Sequence, residues 1–522
     1  MQIVHILGLL AISASVKATV LNSRVLSSCG YISNKIYCYG GDISNVVNVF
    51  RPEGRLYVLD IGQMYGQQSS TFNNKWNEVI ASNDFNIEVR RAPESIFFPE
   101  QNQIVIVGGF SSNTPFTNQT IAYDTVSNTW KSLPAYSEPD RPRRQIYFAT
   151  TVNLMSATND TAAFYGGYES LPSTTVPMIS STGQNITNIN NGTSIRGFDS
   201  LTVFNITSQT WSYFSPQKVF PDPDFYPNSQ SATFNPRTGK IYYFGGSYYL
   251  HSNYGPIRFP LSKTYIFNTI QGTWSLQPLA AVVGSSVPSD RIYHTTTLLP
   301  NSDHILLYGG TNDGRIGLTD FCYTLDLTTY EWTNQVNVTV PTSVSESGVR
   351  YGHSAVLVNT TLFILFGSDI NGNGSPNLLT FDISNVSNIQ YTPTYPLLPA
   401  TAGNPGNPSS NNNNNNNNNN TITSVPASAE LSGGAKAGIA IGCVLGVAAI
   451  AGTIFFFMRR KRGTKGGEEV MQVDWDKIEN QYREVQAPPI YTTHAPSTNE
   501  VVRQTPDVFL SEPMKGISPS AH

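Results

Sequence analysis

Runs of about five to eight β-branched and aromatic residues, separated by short polar turns, recur between residues 24 and 396 and predict strands rather than helices. The clearest block reads His294-Thr-Thr-Thr-Leu-Leu, a polar turn, Ile305-Leu-Leu-Tyr-Gly-Gly310, then Phe321-Cys-Tyr-Thr-Leu-Asp326 and Glu331-Trp332. Its landmarks return along the chain. Glycine pairs stand at Gly40-Gly41, Gly108-Gly109, Gly166-Gly167, Gly245-Gly246 and Gly309-Gly310, with a degenerate sixth at Gly367-Ser368. An aromatic or apolar residue followed by an acid or amide recurs at Tyr123-Asp124, Phe204-Asn205, Phe267-Asn268, Leu325-Asp326 and Phe381-Asp382. Trp76, Trp130, Trp211, Trp274 and Trp332 close five of the units. The spacing is that of a four-strand propeller blade, so the expected fold is all-β, a propeller of six blades. Paired glycines permit positive φ or a close backbone approach, and the tryptophans supply bulk for the wedge between blades.

Arg291-Ile-Tyr-His294 and Arg350-Tyr-Gly-His353 lead into two of the first strands. With these residues the chain resembles the kelch-repeat β-propellers, a family that includes the propellers of galactose oxidase and of attractin-type surface proteins. The resemblance covers about residues 24 to 396 and implies a fold rather than an activity. It makes His294 and His353 structural residues of the repeat. Unit six lacks the second glycine and the tryptophan, and Asn388-Ile-Gln-Tyr-Thr is the segment available for its outer strand.

The flanks assign a compartment. Residues 1–18 carry the apolar run Ile6 to Ile12 and end in Val16-Lys17-Ala18, which reads as a signal peptide. After the propeller domain, 19–398, comes a stalk over 399–434 with an unbroken asparagine run from Asn411 to Asn420. The segment 435–458 has one charge, Lys436, at its outer end, and is long enough to span a bilayer core of roughly 30 Å as a helix. Arg459-Arg-Lys-Arg462 follows it, which places the tail, 459–522, in the cytoplasm. The expectation is a single-pass type I protein of the plasma membrane or another secretory-pathway membrane, N-terminus outside. Asn-x-Ser/Thr sequons at Asn118, Asn159, Asn185, Asn191, Asn205, Asn337, Asn359, Asn373, Asn385 and Asn419 all precede the span, as a glycosylated ectodomain requires. Cys29 and Cys38 flank the turn Ser33-Asn34 symmetrically and are expected to form a disulfide; Cys322 is expected to be a buried apolar thiol.

The loops between second and third strands are the long ones, about 42–55, 110–119, 168–199, 247–262, 311–320 and 368–377, whereas first-to-second turns are short. Length gathered on one rim predicts a recognition face. Within it, Tyr248, Tyr249 and Tyr254 offer flat apolar platforms with polar tips and His251 a hydrogen-bonding neighbour, a set suited to a sugar ring or a protein surface. The resemblance to galactose oxidase raises a copper oxidase, which uses two histidines, two tyrosines and a tyrosine–cysteine cross-link. The predicted ectodomain offers His251, His294, His304 and His353, two of them repeat residues, and no domain follows unit six. No metal site, catalytic residue or cofactor is expected. With 13% charged residues and net charge −4, no nucleic-acid surface is expected either.

In the tail, Pro488, Pro489 and Tyr491 form a Pro-Pro-x-Tyr motif, a polyproline II ligand for WW domains such as those of ubiquitin ligases. Met471, Trp475, Ile478, Tyr482 and Val485 line one face of a short helix; alternatively Tyr482 to Val485 is an extended endocytic signal read by an adaptor. The functional expectation is a cell-surface recognition or adhesion receptor for a glycan or protein. A membrane-tethered carbohydrate oxidase and a passive surface scaffold are the alternatives.

Overall fold

The computed structural model describes residues 21–396 apart from 47–48, 112–113, 140, 142–143, 155–159, 172–192, 219–224, 250–255 and 342–347. The signal peptide, stalk, membrane span and tail expected from the sequence lie outside the described residues, among which no helix is long and apolar enough to cross a membrane.

The described chain is mostly β, and six four-strand antiparallel meanders follow one another in sequence; Ala280–Ala281 adds a parallel fifth strand to the fifth, and three small three-stranded sheets, each with one strand leading into a meander, lie beside them. The first comprises Ser28–Ile32, Lys35–Tyr39, Leu56–Asp60 and Asn77–Glu78. The second to sixth meanders begin at Glu94–Phe98, Thr150–Leu154, Ser231–Asn235, Thr295–Leu298 and Ser354–Val358. These first strands contact one another in cyclic order, and the sixth returns to the first. Between the sheets sit the apolar clusters that form the core. Trp130 of the second meander lies 6.3 Å from Tyr39 of the first, Trp274 4.7 Å from Tyr165, and Trp332 5.8 Å from Phe244, each reaching back to the preceding sheet.

The recurring acid or amide has a local cause. The side-chain oxygen of Asp124 accepts from the backbone N–H groups of Val126 and Ser127, and Asn268 does the same for Ile270 and Gln271. Asn205, Asp326 and Asp382 likewise accept backbone N–H groups within the same turn. Each is an Asx turn that folds the third strand back onto the fourth.

The glycine pairs dock one sheet on the next. Gly109, Gly167, Gly246 and Gly310 each donate an N–H to a carbonyl four residues ahead of the next first strand, that of Ile146, Pro227, Arg291 and Arg350, all at 2.8 Å. A Cβ on the first glycine would strike that same carbonyl, 2.1 Å away at Gly108 and 2.2 Å at Gly309. The sixth unit shifts the assignment made from sequence. Phe366 (φ 60°) and Gly367 (φ 87°) follow the second strand directly, so the pair is Phe366-Gly367 rather than Gly367-Ser368, and Gly367 donates to Arg24 O. The outer strand of this unit is Gln390–Tyr391, from within the expected segment.

No sheet mixes strands from the two ends of the described chain. A clasp joins them instead. Gly66 donates to Tyr395 O, Tyr395 to Gln67 O and Ser69 to Pro393 O, while the Tyr65 and Tyr395 rings stack at 4.9 Å and Trp76 packs 5.6 Å from Phe366.

Candidate functional site

The segments leading into the six first strands meet at the ring's centre. Four of them carry a fully buried arginine, Arg24, Arg90, Arg291 and Arg350. Arg24, Arg90 and Arg291 donate to the carbonyls of Gly40, Gly108 and Gly309, and Arg291 also reaches Asp320 O and, at 2.7 Å, the Asp320 carboxylate. These guanidinium groups tie each lead-in to its own glycine turn. Burial lowers the pKa of Arg90, Arg291 and Arg350, yet a guanidinium starts so high that it stays charged.

Two residues before each first strand the backbone turns left-handed: Leu26 (φ 58°), Ala92 (46°), Phe148 (53°), Ser229 (52°), Tyr293 (58°) and Gly352 (62°). Five of the six are not glycine, an uncommon placement that recurs because the ring demands it. Their amides link neighbouring units around the axis: Leu26 donates to Gly352 O, Gly352 to Tyr293 O, Ser229 to Phe148 O and Phe148 to Ala92 O, at 2.7 to 3.3 Å.

A second hoop lies beside it. The residue opening one first strand bonds to the residue just ahead of the next. Thr150 Oγ1 donates to Gln230 O, Ser231 Oγ pairs with His294 Nε2 at 2.8 Å, Thr295 Oγ1 pairs with His353 Nε2 at 2.9 Å, and Ser354 Oγ donates to Ser27 O. Both histidines are therefore stitches between sheets. Burial, with the nearby guanidinium groups, pushes each down to about 3, so they are neutral at physiological pH.

Five of these opening positions hold Ser or Thr; the sixth is Glu94. It is 8% exposed, its carboxyl accepts the Ala149 N–H, and burial pushes it up to about 8. Glu94, Gln230, Phe148, Tyr293, His294 and His353 line an axial cavity of about 180 Å³. Sequence reasoning missed it, although an acid at a position otherwise restricted to hydroxyl residues was the visible signal.

Around the mouth runs an aromatic chain: Phe110 to Tyr147 (5.3 Å), Tyr147 to Phe148 (5.5 Å) and Tyr168 (5.4 Å), Phe148 to Tyr293 (5.6 Å), and Tyr168 to Tyr249 (6.1 Å). Of the tyrosines singled out from sequence, Tyr249 joins this patch, whereas Tyr248, next along Ser247–Tyr249, packs against Phe225 (5.0 Å) and Phe259 (6.1 Å). His251 and Tyr254 lie outside the described residues. Asp42, buried, is held by Arg91 Nε at 2.6 Å on the same rim.

Cys29 and Cys38 are disulfide-bonded register partners, and the free Cys322 is buried, its thiol pushed up to about 12. His304 opens a second strand 3.8 Å from Asp326, at the opposite end of the sheets from the lead-ins. Among the described residues no group of three or more His, Cys, Asp or Glu is placed to hold a metal. Asn337, Asn359, Asn373 and Asn385 are exposed, and Asn118 and Asn205 half-buried. Asn159, Asn185, Asn191 and Asn419, with Pro488, Pro489 and Tyr491, lie outside the described residues.

A family model described as the Attractin/LZTR1 beta-propeller matches residues 73–373. Kelch domain-containing protein 3 of Bos taurus is 33% identical over 133 residues, and that of Homo sapiens 34% over 133 residues, in each case 24% of this chain and 32% of the relative. The chain thus spans about a third of the length of the curated relatives it matches. A solved structure of YjhT aligns over 72% of this chain and 99% of its own, with TM-score 0.48 and 13% identity.

Proposed function

The chain belongs to the Attractin/LZTR1 β-propeller family, and on that premise we propose that it is a recognition protein, a closed six-bladed propeller whose loop-bearing rim binds a protein or glycan. The observation that carries this reading is the half-buried aromatic patch of Phe110, Phe148, Tyr168, Tyr249 and Tyr293, set on one face by two lead-ins, those of Phe148 and Tyr293, and by three segments that follow the glycine pairs. Aromatic rings with polar tips on a stiff scaffold give contact area at small entropic cost. The Arg91–Asp42 pair at its edge adds polar specificity.

The leader and the apolar segment 435–458 support a type I membrane protein whose sequon-bearing part is extracellular, and Pro488-Pro489-x-Tyr491 supports recruitment of a WW-domain ubiquitin ligase or an endocytic adaptor to the tail. The test is binding of the purified chain to an array of cell-surface and cell-wall glycans and to intact cells, beside Tyr249→Ala and Tyr168→Ala variants. Selective binding lost in the variants supports the rim; binding untouched by both moves the site elsewhere. Absence of any binding favours the passive scaffold.

A further inference from the structure

We propose that the axial cavity is a further binding site, for one small uncharged polyhydroxy ring such as a single sugar unit, held by Glu94 and Gln230 and flanked by Phe148 and Tyr293, the two rings it shares with the rim patch. Four observations converge on it. The cavity, about 180 Å³, is the size of one such ring rather than of a peptide. Gln230, 9% exposed, lines it with an Nε2 that has no hydrogen-bond partner among the described residues, so a donor at the cavity wall stands unused. Glu94 opens into the same space where the other five repeats place a hydroxyl, and its one backbone donor, the Ala149 N–H, leaves acceptor and donor capacity over. Phe148 and Tyr293, 5.6 Å apart, supply the apolar walls on which the C–H face of a ring packs.

The absence of charge in the ligand follows from the surroundings. Burial keeps the Glu94 carboxyl protonated at neutral pH, so it offers a donor and an acceptor rather than a counter-ion. His294 and His353, on the cavity wall, are neutral. The nearby cations are engaged: Arg91 with Asp42, Arg90 with the Gly108 and Gln119 carbonyls, and Arg258 with Asn312 O. A hydroxyl, which donates and accepts at once, fits this set; an ammonium or a carboxylate would find no free opposite charge in this lining.

The site goes beyond the rim reading and stands without it. It is tested by ligand-observed NMR on the purified full-length chain, using methyl α-D-glucopyranoside, methyl α-D-galactopyranoside and methyl α-D-mannopyranoside as uncharged probes, D-glucosamine as the cationic probe and D-glucuronate as the anionic one. At least one methyl glycoside is expected to bind saturably and at least tenfold tighter than both charged probes. Gln230→Leu and Phe148→Ala, each checked for an unchanged melting profile, are expected to weaken it at least tenfold; if either fails to fold, Glu94→Leu takes its place. Saturable binding of a charged probe as tight as the glycosides, no binding of any glycoside at tens of millimolar, or glycoside binding indifferent to these substitutions overturns the proposal. Retained glycoside binding with neither array nor cell binding leaves the axial cavity standing and removes the rim reading; the reverse pattern removes the axial site alone.

Discussion

Arg291→Met removes one guanidinium from the inner ring while leaving most of its aliphatic volume in place. Arg291 is wholly buried and its Nε, Nη1 and Nη2 donate to Ser289 O, Gly309 O, Asp320 O and Asp320 Oδ2 at 2.7 to 2.9 Å. Breaking a buried, hydrogen-bonded charge pair costs about 3–5 kcal/mol. Asp320 is 23% exposed, so its carboxylate recovers some hydration and the figure belongs in the lower half of that range. Three carbonyls left without this donor add up to roughly 1 kcal/mol each where water cannot reach them, for a total of about 3–7 kcal/mol. For a domain of several hundred residues each kcal/mol moves the midpoint by about 1–2 °C, so calorimetry of the variant should show a fall of at least about 3 °C and up to roughly 14 °C. Arg237→Met is the control. Its partner Asp303 sits at 2.9 Å, but the two side chains are 45% and 47% exposed, and the pair is worth about 1 kcal/mol at most. Equal, small losses in the two variants would refute the idea that buried arginines fasten the lead-ins.

Glu94 ties stability to pH: its folded value of about 8 lies above the ordinary 4.5, so the contribution is complete below pH 4.5 and is lost as pH rises toward 8. Glu94→Gln should flatten the thermal-midpoint profile across that window and stabilise the protein at pH 7 by about 3 kcal/mol; parallel profiles for the two proteins would count against the assignment. Cys29→Ser opens a loop with a sequence separation of 9 and should lower stability by about 2–3 kcal/mol, and a free thiol at Cys29 in the purified wild-type chain would contradict the bond. Pro489→Ala combined with Tyr491→Ala should lengthen surface residence if WW domains read the tail; an unchanged half-life in a surface-biotinylation chase removes that claim.

The repeat was legible because its landmarks answer to local physics. Asx turns need Asp or Asn, glycine pairs need room for a neighbouring carbonyl, and a wedge between sheets needs a tryptophan. Where another side chain meets the same demand, the pattern vanishes from sequence. Phe366 takes a positive φ where Gly309 stands in the preceding unit, which is why the sixth pair was read one residue late. The left-handed hoop was invisible for the same reason, since Leu26, Ala92, Phe148, Ser229 and Tyr293 share nothing but a ring position. Tyr248 and Tyr249 were grouped because they are adjacent, yet strand alternation sends one into the sheet-to-sheet packing and the other to the rim. Glu94 shows the converse case. Its meaning lay in a departure from a six-fold column of Ser and Thr that the sequence shows, but what that column does is given only by the hydroxyl-to-neighbour bonds.

The clasp between residues 65–69 and 393–395 also has a mechanical meaning. The chain runs on past it to residue 522, so tension arriving from that side loads a few backbone bonds and one tyrosine stack before it reaches any sheet. A ring closed by a strand shared between its ends would meet such a pull with a whole ladder; here the clasp takes it first, and behind it stand the bonds from Gly367 to Arg24 O, Leu26 to Gly352 O and Ser354 to Ser27 O that hold the sixth unit to the first. The seam is thus fastened twice, once by the clasp and once at the axis, and the two fastenings are loaded in turn rather than together.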